Sequence, residues 1–299
     1  MITISDYFNL GCKGHENFNF VDVNLSDDTK LFIDPLLIEG SEDPWSKEAN
    51  AVLGSYMNRL FAAFRDRTPE RRTLLMHARE QNATKLGYGN GQNGKGKTPD
   101  GLFSSLKGLS ELIRKIPTMS KASDLKVFVQ KFGEDNMSDL ITNILHLQLN
   151  EFTTCELINW GVAPNGKNTF WTWDLSTNRW EQVTRPCYTY HGKELLLVPK
   201  WTVRKNYLFS VHQYLYTVII DRIRENGYED WSKDDIWSNI PRRSNDWEYQ
   251  FIVNNTVDDP TLLTKYHERI PKHYKRSYGS MSDDDLDIMI YGKVFHEIA

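Results

Sequence analysis

Apolar positions along this chain change rhythm three times, and each change predicts a different kind of element. Near the start, "FNFVDVNL" (Phe18–Leu25) and "KLFIDPLLI" (Lys30–Ile38) are dense in Phe, Val, Ile and Leu, with the polar turn chemistry of "SDDT" between them. That pattern predicts a β-hairpin whose second strand ends, or lies at an edge, at Pro35. From Pro44 to Arg67 the rhythm becomes helical, with Val52, Leu53, Tyr56, Leu60, Phe61 and Phe64 on one face. Thr68-Pro69 closes that helix and opens another through "RRTLLMHAREQN". Beyond a glycine-rich stretch, "GLFSSLKGLSELIRKI", "SDLKVFVQKF" and "NMSDLITNILHLQL" each carry helical spacing.

Between Thr169 and Val203 the pattern shortens to strand-like runs, "TFWTWD", "RWEQV", "CYTY" and "ELLLVPKWTV", with turns at Asp174–Asn178 and His191-Gly192. A long amphipathic helix is then expected from Tyr207, stopped by Gly227. The remainder is polar and interrupted by Pro241, Pro260 and Pro271. Strands at both ends of a helical middle predict an α+β fold: a mixed sheet, built from the N-terminal hairpin and the strands of about 169–203, packed by helices. The expected division is a core of residues 1–227 and a mostly helical, basic and acidic C-terminal lobe of residues 228–299.

Composition narrows the function classes. A net charge of −4 over 299 residues excludes a wholly basic polyanion binder, so any nucleic-acid contact must come from a local patch. The three cysteines, Cys12, Cys155 and Cys187, form no C-x-x-C pair, which argues against a zinc ribbon or a disulfide framework. Apolar runs are too short for a membrane span, and the N-terminus lacks the basic and apolar regions of a signal peptide. A soluble, cytoplasmic protein is expected.

"GNGQNGKGKT" (Gly89–Thr98), counted from Gly91, satisfies the P-loop pattern G-x-x-x-x-G-K-[ST]. Its flanks oppose that reading. The upstream residues are too polar for a buried parallel strand, and Pro99 pushes Thr98 out of the helical region. "LYTVIID", ending at Asp221, fits a Walker B strand by letter but continues as a helix. The preferred reading is a cationic flap in which Lys85, Lys95 and Lys97 meet a phosphate backbone. Arg72 and His77 have the R-x-x-x-x-H spacing of ribonucleases with all-helical hosts; a polar helix face is the expectation here.

A more specific pattern lies in "EDNMSDLITNILHLQLN". Asp135, Asp139, Asn143, His146 and Asn150 fall near one helical stripe, opposite an apolar one. Short oxygen donors replace the long charged side chains usual on a solvated helix face. Such donors suit Mg²⁺ or Mn²⁺ and the activation of water at a phosphodiester; structural hydrogen bonding and helix capping are the alternatives. Asp34 and Lys200 each sit beside a proline at the end of an apolar run. An acid on one strand and a lysine on another resembles the pairing of restriction-type nucleases, in which the carboxylate holds the metal and the lysine positions the attacking water. The chain departs from that pattern where Val198 replaces the acid two places before the lysine, the nearest acid being Glu194, so the family is not assigned.

Cations alternate with rings in "KWTVRKNY", which holds Lys200, Arg204 and Lys205, and in "RIPKHYKRSY", which holds Lys272, Lys275 and Arg276. Such interleaving suits a nucleic-acid groove, although the acidic "SDDDLD" follows closely. Three functions are therefore carried forward. The first is a metal-dependent phosphodiesterase or nuclease, with Asp34, Asp139 and Lys200 catalytic and Asp34, Asp135 and Asp139 on the metal. Lys95, Lys97, Arg204, Lys205, Lys272, Lys275 and Arg276 would bind the DNA or RNA. The second is a non-enzymatic module that binds nucleic acid or a partner protein, and the third is a P-loop nucleotide hydrolase. The overall texture resembles accessory bacterial proteins such as defence factors.

Overall fold

The 22-residue helix Pro44–Arg65 forms the spine of the molecule. Asp43 caps it by accepting from the amides of Trp45 and Ser46, and Pro44 occupies the first turn, where its missing N–H costs nothing. Its apolar stripe, including Val52, Tyr56, Leu60 and Phe64, is buried as the spacing predicts. The structure, a computed structural model, describes residues 1–78, 80, 82–88, 98–276 and 279–295, and of Arg276 only the backbone.

The fold is α+β, with two small antiparallel sheets packed by helices. Strands β1 (Phe32–Ile33) and β5 (Val203–Arg204) pair as Phe32 with Arg204 and Ile33 with Val203. Strands β2 (Gly166–Asp174), β3 (Arg179–Tyr190) and β4 (Lys193–Leu195) form the other sheet in that order. Asp174 accepts hydrogen bonds from Ser176 and Thr177 to shape the first turn. His191 and Gly192, at φ +48° and +74°, make the second, in which both central residues must be left-handed. Trp173 of β2 meets Tyr56 of the long helix edge to face, at 5.0 Å between centroids.

The expected N-terminal hairpin is not formed, and the sheets are antiparallel rather than mixed. Phe20 bridges Pro199, the Val21 amide donates to the Val198 carbonyl, and β1 pairs with β5. Both N-terminal runs thus lie along the chain of residues 198–204 instead of against each other. Phe18, Phe20, Val21, Val23 and Leu25 are all buried, and from Phe20 to Val23 every side chain is buried, so no alternating solvent face imposes a hairpin register there. Asp34-Pro35 does not fray a strand but starts a helix, Pro35–Gly40, with Asp34 as N-cap.

Two expected helices are also broken. The acidic stripe spans two of them, Glu134–Ile144 and His146–Asn159, which part at Leu145. The helix expected from Tyr207 begins at Val211, capped by Ser210, and passes through a π turn at Leu215–Ile219 before Ile220–Glu225. The C-terminal helices Trp247–Asp258, Thr261–Arg276 and Asp283–Tyr291 then pack back on the rest. Leu262, Tyr266 and Leu286 join Tyr56, Phe128 and Tyr214 in one apolar core. Among the described residues no helix is long and apolar enough to cross a membrane.

Candidate functional site

The break at Leu145 turns Asn143 and His146 toward the β2–β3–β4 sheet, where a cleft of about 780 Å³ opens. Its walls come from His77, Glu80, Asn82, Ala83 and Lys85, the two helices at the break and the strands. The lining is mostly polar, with Asn143, Asn168 and Gln182 as amides, His77, His146 and His191 as imidazoles, and Lys85 and Lys193 as cations.

The most specific arrangement there is a buried pair. Nε2 of His146 lies 2.8 Å from Oε2 of Glu194, and the two side chains are 5% and 9% exposed. Phe170 stacks on the His146 ring at 3.8 Å with planes 7° apart, which fixes its orientation. The Asn168 amide donates to the same Glu194 oxygen at 2.5 Å. Among the described residues Glu194 Oε1 is buried without a hydrogen-bond partner, an arrangement costly enough that an occupant with a donor is expected to meet it. Since Nε2 is committed to Glu194, Nδ1 is the nitrogen left for a ligand.

His77 lies just beyond the short helix Glu70–Leu75 and stacks on Trp171 at 4.0 Å, planes 17° apart. It also faces Trp180 edge-on at 5.4 Å. A second cleft of about 370 Å³ shares His77 and Trp171 with the first. Arg72, the other half of the R-x-x-x-x-H spacing, points elsewhere, pairing with Asp100 and lying over Phe103.

The residues expected to be catalytic are divided between different surroundings. Asp34 is fully buried and caps its helix through Leu36, while its other oxygen accepts the Tyr274 hydroxyl at 2.5 Å. Burial raises its pKa to about 6, against the opposing pull of the Tyr274 and Leu36 hydrogen bonds and the Arg204 charge. Asp135, also raised by burial, accepts the Tyr88 amide and sits against Gly87, where an added Cβ would lie 2.8 Å from its Oδ1. Asp34, Asp135 and Asp139 all act electrostatically on buried Tyr207, whose own pKa rises first through burial and then through these acids. Lys200 stands apart from them: its ammonium donates to the His15 carbonyl at 2.6 Å and pairs with Asp283 at 2.7 Å. Among the described residues, no group of three or more His, Cys, Asp or Glu could hold a metal ion.

The expected nucleic-acid contacts scatter likewise. Arg204 donates to the Gly279 carbonyl, whereas Lys205, Lys272 and Lys275 are exposed. The Arg276 side chain, Lys95 and Lys97 lie outside the described residues, as does the glycine loop up to Thr98. Thr98 itself is non-helical and caps the helix Pro99–Ser105. Asp221 is held in ion pairs with Lys233 and Arg269 at 2.6 and 2.7 Å.

Sequence reasoning names His146 only as one member of a stripe and Glu194 only as the acid nearest Lys200. It passes over Asn168 and Trp171. The available signal is local: "NTFWTWD" puts an amide and three rings on one strand, and Glu194 follows a tight turn.

Residues 9–210 match a family described as a domain of unknown function (DUF8370). No curated protein and no solved structure matches the chain. The family match takes in more than half of the chain, including every residue that lines the two clefts, and the chain therefore belongs to the DUF8370 family.

Proposed function

We propose that the protein is a phosphodiesterase acting on nucleic acid, with its chemistry at the His146–Glu194 pair. The observation that carries this reading is a buried imidazole tied to a carboxylate at one nitrogen and bordering a polar cleft. A carboxylate that accepts from Nε2–H holds the neutral tautomer with its lone pair on Nδ1, the form needed in a general base. In this reading Nδ1 takes a proton from water as the water oxygen bonds to phosphorus. The ester P–O bond breaks, and its electron pair leaves on the departing oxygen. That oxygen takes a proton from protonated His77, the second imidazole of the same cleft. Lys85 and Lys193 offset the phosphate charge, and the Asn and Gln side chains offer hydrogen bonds to sugar and base.

The test is cleavage of end-labelled RNA and DNA strands by wild type, His146→Gln and Glu194→Gln, with and without a chelator. The expected result is cleavage that survives chelation and falls about 10²–10⁴-fold in each variant, the usual worth of a positioned general base. Cleavage that stops on chelation and depends on Asp139 but not His146 would replace this reading with Mg²⁺ or Mn²⁺ chemistry at Asp34, Asp135 and Asp139. Strand binding with no cleavage would reduce the protein to a binding module.

A further inference from the structure

The second cleft adjoins the first through a shared wall, the stacked pair His77 and Trp171. Beyond that wall it offers a further ring, Trp180, and two guanidinium groups, Arg59 and Arg179. Trp180 is fixed through its indole N–H, which donates to the Leu74 carbonyl at 2.9 Å, so its half-buried ring is already positioned. Arg59 is steadied by Glu70 at 2.8 Å. Arg179 is exposed at the start of β3; Asp174, opposite it in the register, is held by Ser176 and Thr177. Among the described residues Arg179 makes no ion pair, and it lines the cleft.

Rings followed by cations, repeated from one cleft into the next, match the alternation of bases and phosphates in a strand. We infer that the second cleft is a subsite for the nucleotide next to the scissile phosphate, so that the substrate is a single strand of two or more nucleotides. This rests on the phosphodiesterase reading of the first cleft. A base laid against Trp180 or Trp171 must be unstacked from its neighbours, which selects single strands over duplex. Phosphate meets Arg179, with Arg59 as the second cation. At about 370 Å³ the cleft is near the lower end of small-ligand sites and suits one nucleotide unit.

The experiment measures binding of labelled hexauridylate and hexathymidylate, and of uridine monophosphate as competitor, to His146→Gln protein, in which cleavage is suppressed. Arg179→Glu is added to that background. A hexamer is expected to bind at least about tenfold more tightly than the mononucleotide, from one further base stack and phosphate contact. Arg179→Glu should remove most of that advantage and leave mononucleotide affinity within about twofold. If Arg179→Glu disturbs folding, as read by circular dichroism, Arg59→Gln serves in its place with the same expectation. Equal affinity for hexamer and mononucleotide, or an advantage untouched by the arginine change, overturns the subsite while leaving the first cleft standing. If neither ligand binds, and wild-type protein cleaves no strand, both readings fall.

Discussion

Replacing Asp34 with Asn separates a structural carboxylate from a functional one. Burial lifts the Asp34 pKa from 3.8 to about 6, so its contribution to stability is fullest below pH 3.8 and is lost as the pH rises through 6. A shift of that size corresponds to about 3 kcal/mol by pH 7.5. Asn is an equally good N-cap, and its carbonyl oxygen can accept from the Leu36 amide. Its NH₂ group then meets the Tyr274 hydroxyl, which must turn and accept rather than donate, at a cost of about 1 kcal/mol for the displaced hydrogen bond. Asp34→Asn is therefore expected to be less stable than wild type by about 0.5 kcal/mol at pH 4 and more stable by about 2 kcal/mol at pH 7.5. In thermal melts the variant's midpoint should rise roughly 4 °C above wild type at the higher pH and fall below it at the lower. The difference between the two proteins isolates Asp34 from other groups that titrate in the same range. A variant less stable by the same amount at both pH values would refute the argument. Loss of strand cleavage in this variant would return Asp34 to the site.

Three further outcomes are expected. His15 is buried against Asp287 at 2.6 Å, and burial holds its pKa below 6.5 in spite of that partner, so stability from this pair is present above pH 6.5 and lost as pH falls through the depressed value; hydrogen-exchange protection factors in the helix Asp283–Tyr291, corrected for the intrinsic pH dependence of exchange, should fall on acidification in wild type but change less in His15→Gln. Gly87→Ala forces a side chain to φ +137° and to 2.8 Å from Asp135, and should lower stability by about 1–3 kcal/mol in denaturant titrations, with no loss in a glycine-to-alanine change at exposed-side Gly54 as the control for general handling. If Lys272 and Lys275 each meet a phosphate, replacing both with Ala should flatten the slope of log affinity against log salt by about two units, and an unchanged slope would remove that helix from the strand's path.

Elements defined by one buried face and an ordinary cap are legible in the residues: the Pro44–Arg65 helix announces itself through Asp43-Pro44 and its apolar stripe, and His191-Gly192 announces its turn. The N-terminal runs are not, because a strand buried on both sides loses the alternation that encodes its neighbour. Asp34-Pro35 carries two readings, strand end or N-cap with proline in the first helical turn, and only the buried surroundings choose between them. The site is harder still. His146 and Glu194 are 48 positions apart and belong to no short motif. Their pairing depends on how the helix breaks at Leu145, for which neither glycine nor proline gives notice.

The C-terminal helices return to complete polar groups that the first forty residues leave open. Tyr274 supplies a donor to Asp34, Tyr291 supplies one to Asp22, and Asp287 receives the His15 ring and amide. All three partners lie after residue 210, where the family match ends. A chain stopped at that point would lose these partners, although Asp22 keeps Ser5, Asp34 keeps the Leu36 amide and His15 keeps the Asp22 amide, and each lost hydrogen bond costs about 1 kcal/mol. The polar groups of residues 15–34 thus become fully satisfied only when the helices Thr261–Arg276 and Asp283–Tyr291 have docked, so chains cut before Tyr274 should be looser and more protease-sensitive than the full 299 residues.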